Sequence, residues 1–495
     1  MHYIRLLRPP HVNQSGQAGS SLGLVLTITT DLGESFFSPN APVKLAVELS
    51  VETVEEVFDA VFDEDDEDER PCPRRVVQNR VMELPLAAAS TPTAGRAGRV
   101  SKPQKSATAI GSDASSWRAG MRVLKLEARL PKDAEDCLWG TRLRPSLAVL
   151  KRRICIRTAD KMLSVSHAQQ LVESSSLASI YEDGLIMPLW LDVPDTAKEE
   201  FPRVALRRLL LHKDDVTPGD ETRRAACVEV EEDIVESIAR HVWDAGLVAV
   251  AFVADACLGL SLSPSRPQEE KVEDKQKALL AKDTTLPEAL GSILLTRQSQ
   301  VRNKRLRVLE LGSGVGILGI GLATIVQEAR KRCSSSNEAY DNDAMFLLTD
   351  LPEAEQHVRA NMARSDCASL MYENLDWEDG RKGCFGPAVA GKTNGTQSDG
   401  NAWDLVVLSD CTYNVDMLPA LVEALVALSL LNKAQGVHKS SVLIARKPRH
   451  ASEEAFFSLM ADHGWTMLAN AAVPLPVLYG VAEVVELYLY ERIRE

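Results

Sequence analysis

The densest chemistry in the sequence lies between Glu310 and Gly319. The run Glu310-Leu311-Gly312-Ser313-Gly314-Val315-Gly316-Ile317-Leu318-Gly319 continues an apolar segment starting at Leu306 and opens a helical pattern. Glycines let a backbone turn sharply and let a ligand approach it closely. Between a strand and a helix such a turn suits a nucleotide-type ligand. Two ligand types use this geometry, a dinucleotide and S-adenosylmethionine. Gly314-Val315-Gly316-Ile317-Leu318-Gly319 satisfies G-x-G-x-x-G, a weak signal alone. Counted from Gly312, the first glycine after the strand, the third position falls on Ile317, which is neither Gly nor Ala. An acid, Glu310, stands two positions before Gly312. A carboxylate there is unhelpful beside a pyrophosphate and suits a cationic amino group, directly or through water. The second acid is Asp350, closing Leu347-Leu348-Thr349-Asp350, where a carboxylate can take both hydroxyls of a ribose. Asp350 fits either ligand, and Glu310 favours S-adenosylmethionine. A glycine turn that merely caps a helix is the bland alternative.

Positioning these groups requires a sheet. After about residue 226 helices and strands alternate. Strands are expected at Leu306 to Leu311, Ala344 to Thr349, Asp404 to Ser409, Ser441 to Ala445 and Val484 to Tyr490. Helices are expected at Gly316 to Arg332, Pro352 to Ala363, Leu418 to Leu431 and Ser452 to His463. A further helix is expected over Val230 to Val253, where Ile234, Ile238, Val242 and Ala245 share a face. Glu229, Glu231, Glu232 and Asp233 would then favour the dipole at its start. The alternation predicts an α/β fold with a mostly parallel sheet, helices on both faces and a ligand beyond the strands' carboxyl ends.

The organisation expected is a strand-rich region over 1–165, a connecting segment over 166–225 and the α/β domain over 226–495. Leu24 to Thr30, Val43 to Leu49, Arg122 to Leu126 and Ile154 to Arg157 read as strands. Between them, about 62–118, an acidic run from Asp63 to Glu69 and a Ser/Thr/Gly/Ala-rich stretch predict a disordered insert. Polar inserts are also expected near 263–300 and 381–401. The 495 residues carry 56 Lys and Arg against 70 Asp and Glu, a net charge of -14. That disfavours nonspecific nucleic-acid binding, which rests on neutralising phosphates. Nine cysteines are scattered without a C-x-x-C pair, so no metal site is expected. The start lacks a signal-peptide shape, and the apolar stretch Leu247 to Leu262 reads as a buried helix. The expectation is a soluble monomer, cytoplasmic or also nuclear, with no membrane partner.

Four segments in order make the pattern specific: His241-Val242-Trp243-Asp244-Ala245-Gly246, Glu310 to Gly316, Leu375-Asp376-Trp377, and Ser409-Asp410-Cys411-Thr412-Tyr413. Together they resemble the seven-strand class I protein-lysine methyltransferases of the methyltransferase-like 21 group, also called methyltransferase family 16. The resemblance covers roughly 226–495. It implies a Rossmann-like seven-strand domain and S-adenosylmethionine as cofactor. It implies a lysine on a protein, such as a translation factor or chaperone, as acceptor. By the resemblance Trp243 closes over the cofactor, and Gly312, Ser313 and Gly314 face its methionine part with Glu310 nearby. Asp350 binds the ribose, Trp377 flanks the adenine and Ser409 lines the pocket. Asp410 and Tyr413 match an Asp-x-x-Tyr element that places the substrate amine. Arg446 to His450 fall where the family often carries Arg, as a substrate contact or a solvated loop. On residues alone Trp243 and Trp377 could be core aromatics, Asp410 a strand-end cap and Tyr413 packing. A small-molecule N-methyltransferase and a non-catalytic binding module of the same fold stay open.

Overall fold

The structure, a computed structural model, describes residues 1–15, 19–57, 74–88, 115–139, 147–172, 184–212, 226–234, 240–259, 284–295, 305–333, 344–391, 402–477 and 483–493. Alternating apolar residues build two sheets from the N-terminal part. Its strands are β1 (His2–Leu6), β2 (His11–Ser15), β3 (Gly19–Thr30), β4 (Val43–Val57), β5 (Arg74–Leu84), β6 (Leu86–Ala88), β7 (Ser116–Trp117) and β8 (Leu124–Leu130). They continue with β9 (Leu147–Thr158), β10 (Ile186–Met187), β11 (Leu189–Asp192), β12 (Val204–Leu210) and β13 (Cys227–Asp233). One sheet runs β10-β1-β3-β8-β6, with β2 beside β3. The other runs β13-β12-β11-β9-β4-β5, with β7 beside β4. Ile4, Leu6, Leu24, Leu26 and Ile28 pack against Leu45, Val47, Leu49, Ile154 and Ile156 to form the sandwich core. A strand alternates its faces with period two. Tyr3, Arg5, Thr27 and Thr29 therefore lie on the other face, and Tyr3 joins the core of the following domain.

That domain opens with α1 (Asp244–Ala254) and, later, α2 (Leu286–Leu295). Then follow β14 (Leu306–Leu311), α3 (Ile317–Cys333), β15 (Ala344–Asp350), α4 (Pro352–Arg364), β16 (Leu370–Asn374) and α5 (Trp377–Gly380). The rest is β17 (Leu405–Ser409), α6 (Leu418–Ala434), β18 (Lys439–Arg446), α7 (Ala455–Asp462), β19 (Thr466–Pro474) and β20 (Val484–Ile493). The sheet order is β16-β15-β14-β17-β18-β20-β19. The first five strands are parallel, β20 runs antiparallel to β18, and β19 antiparallel to β20. All six residues of β14 are buried, as expected for a central strand covered on both faces. The strand order reverses between β14 and β17, which is the switch point where such sheets bind ligands. This is the Rossmann-like class I methyltransferase architecture the sequence predicted. By length and composition Val415–Ala434 could cross a membrane, and half of it is buried in the fold.

Several expectations are corrected. Val230 to Val253 is not one helix: Cys227–Asp233 is a strand paired with β12, and the helix begins at Asp244. Val228, Val230 and Glu232 alternate inward, and the neighbouring strand overrides the helical spacing. Its acids therefore cap nothing and pair with arginines, as in Arg153–Glu229, Arg207–Glu232 and Arg364–Glu231. The segment 166–225 contributes β10, β11 and β12 to the sandwich, more than a connector. Within the insert expected near 62–118, β5, β6 and β7 are strands; 58–73 and 89–114 lie outside the described residues. Within 263–300, Leu286–Leu295 is a helix burying Leu286, Leu290 and Leu294. The part of 381–401 beyond residue 391 also lies outside the described residues.

Candidate functional site

The glycine turn sits at the switch point, and its shape follows from contacts only glycine permits. Gly312 has φ +63°, in the left-handed region. A Cβ there would lie 2.7 Å from Cys411 Sγ and 3.1 Å from Trp377 Cζ2. Three of the expected segments therefore converge: the turn, Trp377 at the start of α5, and the loop after β17. Ser313 N donates to Thr349 O at 3.0 Å, and Thr349 Oγ1 donates to Glu310 O at 2.6 Å. Asn361 of α4 donates to Val315 O at 2.8 Å and accepts from Glu231 N at 2.7 Å. The turn is thus tied to the sandwich as well as to its own sheet.

Two carboxyls border the turn, Glu310 buried and Asp350 partly buried. Asp350 Oδ2 accepts from Gly314 N and Oδ1 from Leu351 N, both at 2.7 Å. Two carboxylate oxygens offer about four acceptor sites, so capacity is left for hydroxyl donors. Burial pushes Asp350 up from the usual carboxylate range. Glu310 is 2% exposed, and Oε2 accepts from Gly319 N in the first turn of α3 at 3.0 Å. A Cβ on Gly319 would come 2.4 Å from that oxygen. Glu310 thus caps the helix from behind the turn, a role its spacing did not reveal. Its Oε1 and the Ser313 hydroxyl have no hydrogen-bond partner among the described residues. Burial drives the Glu310 carboxyl well up, and Asp350 adds to the shift. Among the described residues no cation compensates either acid, so the donors that fit are those of a ligand with an ammonium and a ribose. The S-adenosylmethionine predicted from the sequence has both.

The loop after β17 carries the remaining residues. Ser409 lies under α1, where a Cβ on Gly246 would meet its Oγ at 3.2 Å. Asp410 has φ +50°, uncommon for a residue with a side chain. Its Oδ2 accepts from Ala245 N at 3.1 Å and its Oδ1 from Lys447 N at 3.2 Å. The carboxylate therefore caps α1, whose own N-cap residue, Trp243, offers no side-chain acceptor. It also holds the end of β18. Burial pushes Asp410 up to about 7, against the pull of Arg449, whose Nη2 is 3.7 Å away. Thr412 Oγ1 donates to the buried Glu453 at 3.0 Å. Tyr413 is 65% exposed on the rim. Trp243 is half-buried under the Arg449 guanidinium, 5.0 Å from its ring centroid.

Sequence reasoning missed three features. Cys411 forms the wall against Gly312, although it lies inside the quoted Ser409 to Tyr413 segment. Glu453 accepts from Arg449 N and His450 N and fixes the loop after β18. The segment 446–450 is not a solvated loop: Lys447 Nζ donates to Asp244 at 2.8 Å and pairs with Glu483 at 2.7 Å. Arg449 Nη2 donates to Asp31 of the sandwich at 2.8 Å, and Tyr3 OH donates to Asp244 at 2.7 Å. Among the described residues no group of His, Cys, Asp and Glu could hold a metal ion.

The family described as lysine methyltransferase matches residues 223–463. A protein of the UPF0665 family from Schizosaccharomyces pombe is 24% identical over 237 residues, 47% of this chain and 49% of that protein. The chain thus spans about half the length of the curated relative it matches. Similar solved structures include TrmN from Thermus thermophilus, 13% identical, covering 44% of this chain and 52% of that one at a TM-score of 0.25. Another is the precorrin-6y C5,15-methyltransferase from Geobacter metallireducens, 12% identical, covering 42% and 91% at a TM-score of 0.24.

Proposed function

We propose that the chain, whose residues 223–463 match the family described as lysine methyltransferase, is an S-adenosylmethionine-dependent methyltransferase that methylates a lysine side-chain amine on a protein. When bound, S-adenosylmethionine supplies a methyl group on a positively charged sulfur. Gly312, Ser313 and Gly314 with Glu310 would hold its amino-acid end, Asp350 its ribose and Trp377 its adenine, with Ser409 lining the pocket and Trp243 closing over it. A translation factor or chaperone is the class of acceptor the family resemblance suggests, met in the cytoplasm or nucleus.

The observation that carries the protein-lysine reading is the division of labour in Asp410-Cys411-Thr412-Tyr413. The Asp410 carboxylate is taken by two backbone N–H groups. It fixes the loop, leaving the loop's carbonyl oxygens as acceptors for an amine. Tyr413, exposed at the rim, can flank a long aliphatic stem and attract a methylated ammonium through its ring face. An exposed rim suits an acceptor carried on a macromolecule better than a closed cavity for a small amine does. A lysine amine has a reference pKa of ~10.4 and must lose a proton before it attacks. Desolvation in the slot and the nearby positive sulfur lower that value. Alignment and exclusion of water can then contribute ~7–11 kcal/mol without a strong base.

The test is to incubate the full chain with methyl-labelled cofactor and lysate from cells that lack it. Label recovered as methyllysine in a protein supports the reading. Label found only in the small-molecule fraction assigns the chemistry to a small amine instead.

A further inference from the structure

A cavity of about 660 Å3 opens between the first sheet of the sandwich and the approach to α1. Arg5, Thr27, Thr29 and Asp31 form one wall, and His241 and Trp243 stand on the other. Its lining also includes Leu7, Leu32, Phe36 and Val123, four large apolar side chains left exposed. An apolar patch ringed by polar groups marks an interaction surface. The polar groups are themselves incomplete. Thr27 Oγ1, Thr29 Oγ1 and Arg5 Nε are buried with no hydrogen-bond partner among the described residues. Each such atom left unmatched costs stability, which a ligand with amide groups would recover.

The charges point to the ligand's sign. The acids lining the cavity are already matched: Asp31 by Arg449 and Lys447, Glu232 by Arg207, and Asp233 by Arg240. Of the two arginines, Arg5 donates to the Asp31 carbonyl oxygen at 2.7 Å and its charge acts on the buried Glu232, whereas Arg122 lies over the Phe36 ring, 5.5 Å from its centroid, with no carboxylate partner among the described residues. The cavity also communicates with the site. Trp243 lines it, stacks under Arg449, and through Arg449 adjoins Asp410. An extended chain advances ~3.3 Å per residue, so a few residues bridge the two places.

We propose that this cavity binds the polypeptide stretch flanking the target lysine, and that the stretch is apolar and acidic. The inference rests on the protein-lysine reading. The Thr27 and Thr29 hydroxyls would pair with the peptide backbone, the exposed apolar residues would hold an apolar side chain, and Arg122 would meet a carboxylate. The N-terminal sandwich then supplies substrate selection to a catalytic domain that supplies the chemistry.

The test uses the full chain and fluorescein-labelled 12-residue peptides, each with one lysine. One set carries Leu-Asp-Phe-Glu two to five residues from the lysine, and the other carries Leu-Arg-Phe-Arg. Binding is read by anisotropy, also with norleucine replacing the lysine, and transfer is read with labelled cofactor. The expected result is about tenfold tighter binding of the acidic set. Arg122→Glu, on an exposed side chain, should reverse that preference at unchanged cofactor affinity. Thr27→Val should weaken both sets a few-fold. Methylation without flank preference, or a preference untouched by Arg122→Glu, overturns the cavity assignment and leaves protein-lysine methylation standing. Flank-dependent binding with no transfer to any peptide keeps the assignment and removes the lysine reading. Absence of binding by either set, or displacement of the acidic peptide at micromolar concentration by a small apolar carboxylate such as decanoate, also overturns it.

Discussion

The buried Glu310 and partly buried Asp350 beneath the glycine turn, and the buried Asp31 at the junction of sandwich and catalytic domain, are carboxyls in opposite surroundings. At the junction burial works against the charge of Asp31. A hydrogen bond from Arg449 and the charges of Lys447 and Arg449 overcome it and hold Asp31 well below the usual range. At the turn the acids meet backbone N–H groups and, among the described residues, no cation, and burial drives both upward. The junction is electrostatically complete, and the turn is not. A completed cluster fixes two domains to each other, whereas an incomplete one is shaped for a ligand that brings its own positive charge.

The contrast can be broken at either end. Lys447→Met should have the largest effect, because it leaves Asp31 and Asp244 buried with less compensation. Removing one partner of a buried pair costs ~3–5 kcal/mol, to be read by urea denaturation of the full chain. A loss below about 1 kcal/mol would show that the junction does not depend on this charge.

Acid should weaken the sandwich next. Burial opposes the charge of Glu232, but Arg207, then Arg5 and His241, hold it down to about 2 from 4.5. Its contribution is therefore present above pH 4.5 and lost as the pH falls toward 2, about 3 kcal/mol at 1.36 kcal/mol per unit. Asp410 has the opposite sign: raised to about 7, it favours the fold at low pH and loses that contribution as the pH rises from 3.8 to 7. Calorimetric melting from pH 2 to 8 should show the acid loss, and a shallower loss in Glu232→Gln would tie that part of it to this group, the remainder falling to depressed carboxyls such as Asp31.

At the turn, Asp350→Ala should lower cofactor affinity about a hundredfold, the scale of two hydrogen bonds to a charged acceptor. Unchanged affinity in calorimetric titration would remove the ribose assignment. The smallest effect on the fold is expected for Tyr413→Ala, within about 0.5 kcal/mol because the side chain is exposed. Methyl transfer should nonetheless fall about tenfold at unchanged cofactor affinity, and full turnover would reduce Tyr413 to a rim residue.

How much of this the sequence disclosed depends on the kind of interaction. The central strands were legible because burial on both faces makes β15 and β17 near-continuous apolar runs and leaves β14 apolar at four of its six positions. The edge strands β16 and β19 escaped notice, since Leu370–Asn374 is only partly buried and Thr466–Pro474 mostly exposed. The glycine turn was legible from spacing, and the segments carrying its partners Trp377 and Cys411 only through family order. The capping role of Glu310 was not legible, because the same carboxylate two residues before a glycine can face a ligand or a helix. The junction was invisible for a simpler reason. Asp31 and Arg449 are 418 positions apart, and no local pattern joins them. The start of the expected helix shows the converse failure: Val230 falls within the helical span, but Cys227–Asp233 pairs over seven residues with β12, while Ile238 lies outside the described residues.

The incomplete charge at the turn is tested most directly by titrating S-adenosylmethionine into the full chain calorimetrically in two buffers of different ionisation enthalpy. Because Glu310 and Asp350 are raised without a cation, arrival of one should return them toward the carboxylate form. The expected result is saturable one-to-one binding with net proton release and an affinity that rises with pH. Binding without proton release would contradict the charge account, and no heat at millimolar cofactor would contradict the assignment of the site itself.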